Sequence, residues 1–271
     1  KVMARNDSEG IIITHGTDTL QYTAALLSYV FGTDCVPVLL VSSDFPLEDA
    51  RANGMANFMR AVEFIKCREG RGVFVSYRND RNEEADIYRG TRLLMHQPYS
   101  ARLYPLDGVS FHGKVCYNRE ASMDRMERPD GQELRLTEDA GNILWIRPCV
   151  GMTYPQAGPQ VRAVLHDSYH SGTIAVNAGL EEFAGRMEQA GIPVYLTGAS
   201  SGEAEYETVR MYEQYGIRVL PKMSLIAAYC KLWLALSNDL DVNSIMNTCI
   251  AEDIIQEQRG VIRTDEQSRR D

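Results

Sequence analysis

The chain has little that would mark it for a membrane, a metal or a nucleic acid. No run of about 18 apolar residues occurs in its 271, so no stretch reads as a membrane span. Its six cysteines (35, 67, 116, 149, 230 and 249) include no Cys-x-x-Cys pair. They read as free thiols of a reducing cytoplasm rather than as a disulfide frame or a zinc site. The five histidines are dispersed, and no metal or other cofactor is expected. Positive charge is also short: a net charge of −9 argues against a nucleic-acid partner, whose phosphates need clustered Lys and Arg. The arginines at 68, 71, 78, 81, 89 and 92 are interspersed with acids and read as a solvated loop region. No internal repeat or low-complexity tract is present.

What the chain does carry is concentrated in residues 11–19, Ile-Ile-Ile-Thr-His-Gly-Thr-Asp-Thr. Three β-branched residues, Ile11–Ile13, read as a buried strand, Gly16 as a turn, and Leu20, Ala24, Leu27, Val30 and Phe31 as one face of a helix. A strand–turn–helix junction of this kind sets side chains at the carboxyl end of a strand, where open α/β sheets bind ligands. Thr17 offers a hydroxyl there and Asp18 a carboxylate; the plainer alternative is that the pair caps the helix. His15 reads as a turn residue bonded to backbone rather than as a general base.

Strand-like and helical runs alternate onward: Val36–Ser42, Ala52–Cys67 and Gly72–Tyr77, then short strands at Ile87–Tyr88, Val109–Phe111 and Lys114–Tyr117, with a His112-Gly113 hairpin turn. Residues 119–141 are densely charged and read as a linker. A second series follows, with strands expected at Ile143–Arg147, His166–Tyr169 with Thr173–Val176, Val194–Thr197 and Arg218–Leu220. Its helices are expected at Leu180–Ala190, Glu205–Gln214, Leu225–Ser237 and Val242–Cys249, with Gly191 and Gly216 as C-caps.

The Thr-His-Gly-Thr-Asp-Thr junction resembles the L-asparaginase family of bacterial-type amidohydrolases, and its cytoplasmic branch more than its secreted one. The likeness continues through 36–47, through Arg51-Ala52-Asn53-Gly54 with Asn57, and through Ile87-Tyr88-Arg89-Gly90-Thr91-Arg92. In the second half it rests on Tyr169-His170-Ser171-Gly172-Thr173 and on Ala227-Ala228-Tyr229-Cys230-Lys231-Leu232. The resemblance implies an α/β, two-domain asparaginase-like fold. A larger N-terminal parallel-sheet domain, here without its first strands, would occupy 1–118, and a smaller C-terminal α/β domain 142–271.

The resemblance also implies roles. Thr17 would be the second of two active-site threonines, linked through its hydroxyl to a lysine, and Asp18 would bind the substrate α-amino group. Gly16 belongs to the same substrate-binding set, and the loop opening at Ser42 and Ser43 would present backbone groups to the scissile amide. A neighbouring subunit would close the pocket, giving a homodimer or homotetramer that acts on asparagine or a related amide. Three positions depart from the family pattern. The primary threonine nucleophile belongs to a segment upstream of residue 11, so the sequence reads as an incomplete copy of a longer protein, inactive alone. The family's lysine position falls on Met95, and Asn53 stands where an aspartate is usual. Two further readings stay open: a catalytically silent amino-acid-binding module, and the amidase subunit of a tRNA-dependent amidotransferase.

Overall fold

The computed structural model describes residues 8–68, 70–79, 84–106, 123–137, 142–198 and 207–255. The first sheet contains β1 (Ile11–Thr14), β2 (Val38–Val41), β3 (Val73–Tyr77) and β4 (Asp86–Arg89) in that spatial order. The first three strands run parallel and β4 is antiparallel to β3. Crossover helices α1 (Leu20–Phe31) and α2 (Gly54–Cys67) join the parallel strands. Because helices cover both faces, β2 can be Val-Leu-Leu-Val and buried at every residue. Alternate side chains separate: Val38 and Leu40 pack with Leu20 and Ala24 of α1, whereas Leu39 and Val41 pack with Ala61 and Phe64 of α2.

The second sheet is parallel throughout, in the order β5 (Ile143–Ile146), β6 (Ala163–His166), β7 (Val194–Leu196), β8 (Ile217–Val219). Leu180, Phe183 and Met187 of α3 (Ala178–Gln189) cover one face of it. Leu232 and Leu236 of α5 (Leu225–Ser237) and Met246 of α6 (Val242–Asn247) cover the other. Helix α4 (Glu207–Gln214) precedes β8. Gly191 follows α3 in the left-handed region (φ +67°), and the amides of Gly191 and Ile192 close on the carbonyls of Glu188 and Met187. The two sheets meet through α1 and α5, whose Ala25, Tyr29, Ala227, Cys230 and Leu234 share one core cluster.

Some local expectations change. The strand expected from His166 begins three residues earlier, at Ala163, because Ala163, Val164 and Leu165 bury both faces between helices. Beyond His166 the chain turns: Gly172 adopts φ +75° and the Tyr169 amide bonds the Thr173 carbonyl at 2.8 Å. The arginine-rich stretch is not uniformly solvated either. Arg89 is buried, 2.9 Å from the equally buried Glu252, and its guanidinium stacks over Phe74. Arg68 pairs with Glu9 and Arg71 with Asp34. The stretch read as a linker is, in its described part 123–137, anchored by Met126, which is buried in the α1–α5 cluster. The strands expected at 109–117, their hairpin turn and Arg81 lie outside the described residues.

Candidate active site

The junction that dominates the sequence opens into a cleft. Past the end of β1, the His15 amide still bonds the Val41 carbonyl at 2.8 Å, continuing the sheet by one residue. Its ring then locks the turn. Nδ1 donates to the Gly16 carbonyl at 2.7 Å, which leaves Nε2 to accept from the Thr23 hydroxyl at 2.8 Å. Both nitrogens are therefore engaged, as befits a turn residue. A Cβ on Gly16 would meet nothing within 4 Å, so crowding is not what selects glycine there.

Neither Thr17 nor Asp18 occupies the cap position of α1. Thr19 does, and it makes no side-chain bond to the helix. Backbone carbonyls of Thr17 and Asp18 accept from the Leu20 amide and the Gln21 side chain, which holds the turn in place. Their side chains line an open cleft of about 480 Å³ together with Asp44, Phe45, Tyr77 and the loop from His96 to Ala101. The cleft lies at the carboxyl ends of β1, β2 and β3, the ligand-facing rim of a parallel sheet.

Each wall has its own support. The loop after β2 is pinned by two buried asparagines. Asn53 exchanges bonds with Asp44 (amide to Oδ1 in both directions, 3.0 Å each) and donates to the Arg78 carbonyl at 2.9 Å. Asn57 donates to the Ser42 carbonyl at 2.8 Å and accepts from the Arg78 amide at 2.7 Å. Asn53 thus positions Asp44 without supplying a carboxylate of its own. The third wall is tied down at its base, where the Asn79 side chain brackets Leu103, accepting from its amide and donating to its carbonyl. There too the Leu94 amide bonds the Tyr104 carbonyl at 2.9 Å.

Thr17 and Asp18 are thus brought together, with Gly16 in the turn between them and β1. Ser42, Ser43 and Met95 are not among the residues lining this cleft. The Ser42 hydroxyl is buried without a hydrogen-bond partner among the described residues, and the Ser43 hydroxyl donates to the Phe45 carbonyl at 2.6 Å. Met95 packs against the α1–α5 cluster and its sulfur accepts from Arg147 at 3.5 Å. Asp44, Tyr77 and His96 complete the cleft and had escaped sequence reasoning. Asp44 and Tyr77 lie at the carboxyl ends of β2 and β3, a place that could have found them; His96 carries no such signal.

Chemically, the cleft is lined by two carboxylates, the hydroxyl-bearing Thr17 and Ser100, an imidazole and aromatic rings. No Lys or Arg lines it among the described residues, and these contain no cluster of acids, histidines or cysteines suited to a metal ion. Such a set favours an ammonium group at Asp18, where a charge-assisted hydrogen bond would form.

Residues 1–102 match the N-terminal asparaginase domain model. Over 266 residues the chain is 26% identical to a glutamyl-tRNA(Gln) amidotransferase subunit of Haloquadratum walsbyi, covering 92% of this chain and 59% of that one. It is 25% identical to L-asparaginase 1 of Escherichia coli K12, covering 89% of this chain and 72% of the other. The chain thus spans less than two thirds of the amidotransferase protein. The thermostable L-asparaginase from Thermococcus kodakarensis superposes with a TM-score of 0.67 at 23% identity, over 93% of this chain and 78% of that one, and so shares its fold. Signature, domain model and fold agree: residues 1–102 match the asparaginase N-terminal domain, and the chain as a whole shares the asparaginase fold.

Proposed function

We propose that this protein hydrolyses the side-chain amide of a free amino acid, asparagine or a close analogue, and that the cleft at the β1–α1 junction is where that amino acid binds. The carrying observation is that Thr17 and Asp18, adjacent in sequence, line one cleft at the carboxyl rim of a parallel sheet. In this reading the Asp18 carboxylate holds the α-ammonium group and the Thr17 hydroxyl faces the amide. Met95 takes no part. Ser42 and Ser43 contribute through the loop backbone that Asn57 fixes.

The reading extends to organisation. The two sheets form two domains, 1–118 and 142–271, joined through 119–141. A second copy completes the site, making the protein a homodimer or homotetramer. The free thiols described at Cys35, Cys67, Cys149, Cys230 and Cys249 suit the cytoplasm. Ammonia release from L-asparagine and L-glutamine by the full-length protein tests the reaction. Release that Asp18→Ala abolishes supports it, and no release at millimolar substrate contradicts it.

A second reading, the amidase subunit of a tRNA-dependent amidotransferase, is favoured by the similarity to the glutamyl-tRNA(Gln) amidotransferase proteins of Haloquadratum walsbyi and Methanosphaera stadtmanae. A net charge of −9 weighs against a surface that sits on tRNA. A gel shift with tRNA at physiological salt separates the two, since only the amidotransferase reading expects one.

A further inference from the structure

The third wall of the cleft, His96–Ala101, is the tip of a loop that closes on itself like a hairpin. The Leu94 amide bonds the Tyr104 carbonyl at 2.9 Å, the Leu106 amide bonds the Arg92 carbonyl at 2.7 Å, and Leu93 bridges Pro105. At the tip, the hydrogen bonds among the described residues stay inside the loop. The Ser100 amide bonds the Gln97 carbonyl, and His96 Nε2 bonds the Ser100 carbonyl. Where the tip stands is therefore set by Asn79, by the edge of Tyr77 and by the loop's root. That root is held by residues 160 positions later: the Thr91 hydroxyl donates to the Ala251 carbonyl and Arg92 Nε to the Glu252 carbonyl, each at 3.0 Å. The Ser224 hydroxyl, just before α5, donates to the Leu93 carbonyl at 2.6 Å. Next to the root, Arg89 ends β4 and meets the Glu252 carboxylate at 2.9 Å, with both side chains buried.

Residues 249–255 form a strap that is itself held in an uncommon shape. Ala251 and Glu252 are consecutive non-glycine residues at φ +51° and +58°, a left-handed pair that persists only where the surroundings over-determine it. The turn sends adjacent carboxylates to different elements: Glu252 to Arg89 of β4, Asp253 to Lys231 of α5 and Tyr29 of α1. Its ends are fixed by the Met123 amide on the Cys249 carbonyl and by the Ile255 amide on the Lys222 carbonyl. None of its residues lines the cleft. We infer that this strap sets the cleft's third wall, with Glu252 as a positioning residue. Through Arg89, Thr91 and Arg92 it fixes the root from which the 96–101 tip projects, so the second half of the chain clamps a wall built by the first. Where the ligand of that cleft is taken to be L-asparagine, the inference rests on the amide-hydrolysis reading above.

The test is native-state amide exchange on the full-length protein and its Glu252→Gln variant, with calorimetric titration of L-asparagine into each. The bonded amides of Leu94, Ser100 and Leu103 should exchange at least about tenfold faster in the variant, which loses a charged partner at the root. L-asparagine should bind the variant at least about threefold more weakly. A variant that exchanges faster in β2 and β3 but at wild-type rates in 94–104 has lost stability alone, and overturns the inference. So does unchanged affinity where the wild type binds. No binding by the wild type counts against the proposed function instead, and exchange at 94–104 then decides the strap by itself, so the two failures are distinguishable. Should Glu252→Gln fold poorly, Thr91→Val removes only the hydroxyl bond to Ala251 and is read in the same way, with shifts of about threefold expected.

Discussion

The ammonium of Lys231 lies 2.7 Å from the carboxylate of Asp253, and neither side chain reaches solvent. Lys231 projects from α5 and also donates to the Thr248 carbonyl, while Asp253 sits on the segment after α6. Asp253 further accepts from the Tyr29 hydroxyl of α1 at 2.9 Å and from the Ile250 amide at 2.9 Å. Burial, and then the adjacent Asp253, push the Tyr29 hydroxyl well above its ordinary range, so it remains a donor. One carboxylate thereby ties together α1, α5 and the chain after α6. Lys231→Met leaves that charge buried without its cation, at an expected cost of about 3–5 kcal/mol in urea unfolding. Lys231→Met with Asp253→Leu should cost less than the sum of the single changes. Additive losses would contradict the coupling.

Met95 stands in the position the family gives to a lysine, but the structure uses it as an apolar contact and a sulfur acceptor for Arg147. Met95→Lys would set an ammonium beside that guanidinium and against the α1–α5 cluster. It should lower stability by about 1–2 kcal/mol and leave ammonia release unimproved. A rise in release of tenfold or more would show that residue 95 reaches the cleft.

His166 at the end of β6 is fully buried. Its Nδ1 donates to the Asp167 carbonyl at 2.5 Å, and Nε2 accepts from the Tyr154 hydroxyl at 3.2 Å. Burial lowers its pKa below the ordinary 6.5. The unfolded chain therefore takes up this proton at a higher pH than the folded one. The stabilisation is complete above about 6.5 and is lost as pH falls through the folded value. Thermal unfolding midpoints should drop between about pH 7 and 5, and His166→Gln should flatten that limb. An unchanged slope would contradict the assignment.

Asn57, fully buried in α2, fixes both the Ser42 carbonyl and the Arg78 amide. Asn57→Ala strands two backbone groups and should cost about 2–6 kcal/mol, at roughly 1–3 per buried group. Because Arg78 also receives Asn53, which holds Asp44, the same change should weaken ligand binding in the cleft. Calorimetry and urea unfolding on one preparation check both; loss of stability with full affinity would separate the latch from the site.

The β1–α1 junction was legible because hydrophobic period changes sharply there, from three consecutive isoleucines to the helical spacing of Leu20, Ala24 and Leu27. Strand β2 was legible as a continuous apolar run, the mark of burial on both faces. Partners distant in sequence were not. Arg89 looked like a member of a solvated arginine stretch because Glu252, which buries with it, lies far along the chain. His96 stood in a polar, irregular segment that joins the cleft lining and is tied down by the Asn79 bonds to Leu103. Ser42 and Ser43 were expected at the cleft from the family resemblance, but Asn57 and Phe45 engage that loop's polar groups.

The most direct measurement is calorimetric titration of L-asparagine into the chain and into its Asp18→Asn variant. Asp18 is exposed and bears no helix cap, so the change should leave thermal unfolding untouched. If the carboxylate holds the α-ammonium group, wild type binds and the variant binds at least about tenfold more weakly, the loss expected of a charge-assisted hydrogen bond. Equal affinity in the two proteins would contradict it.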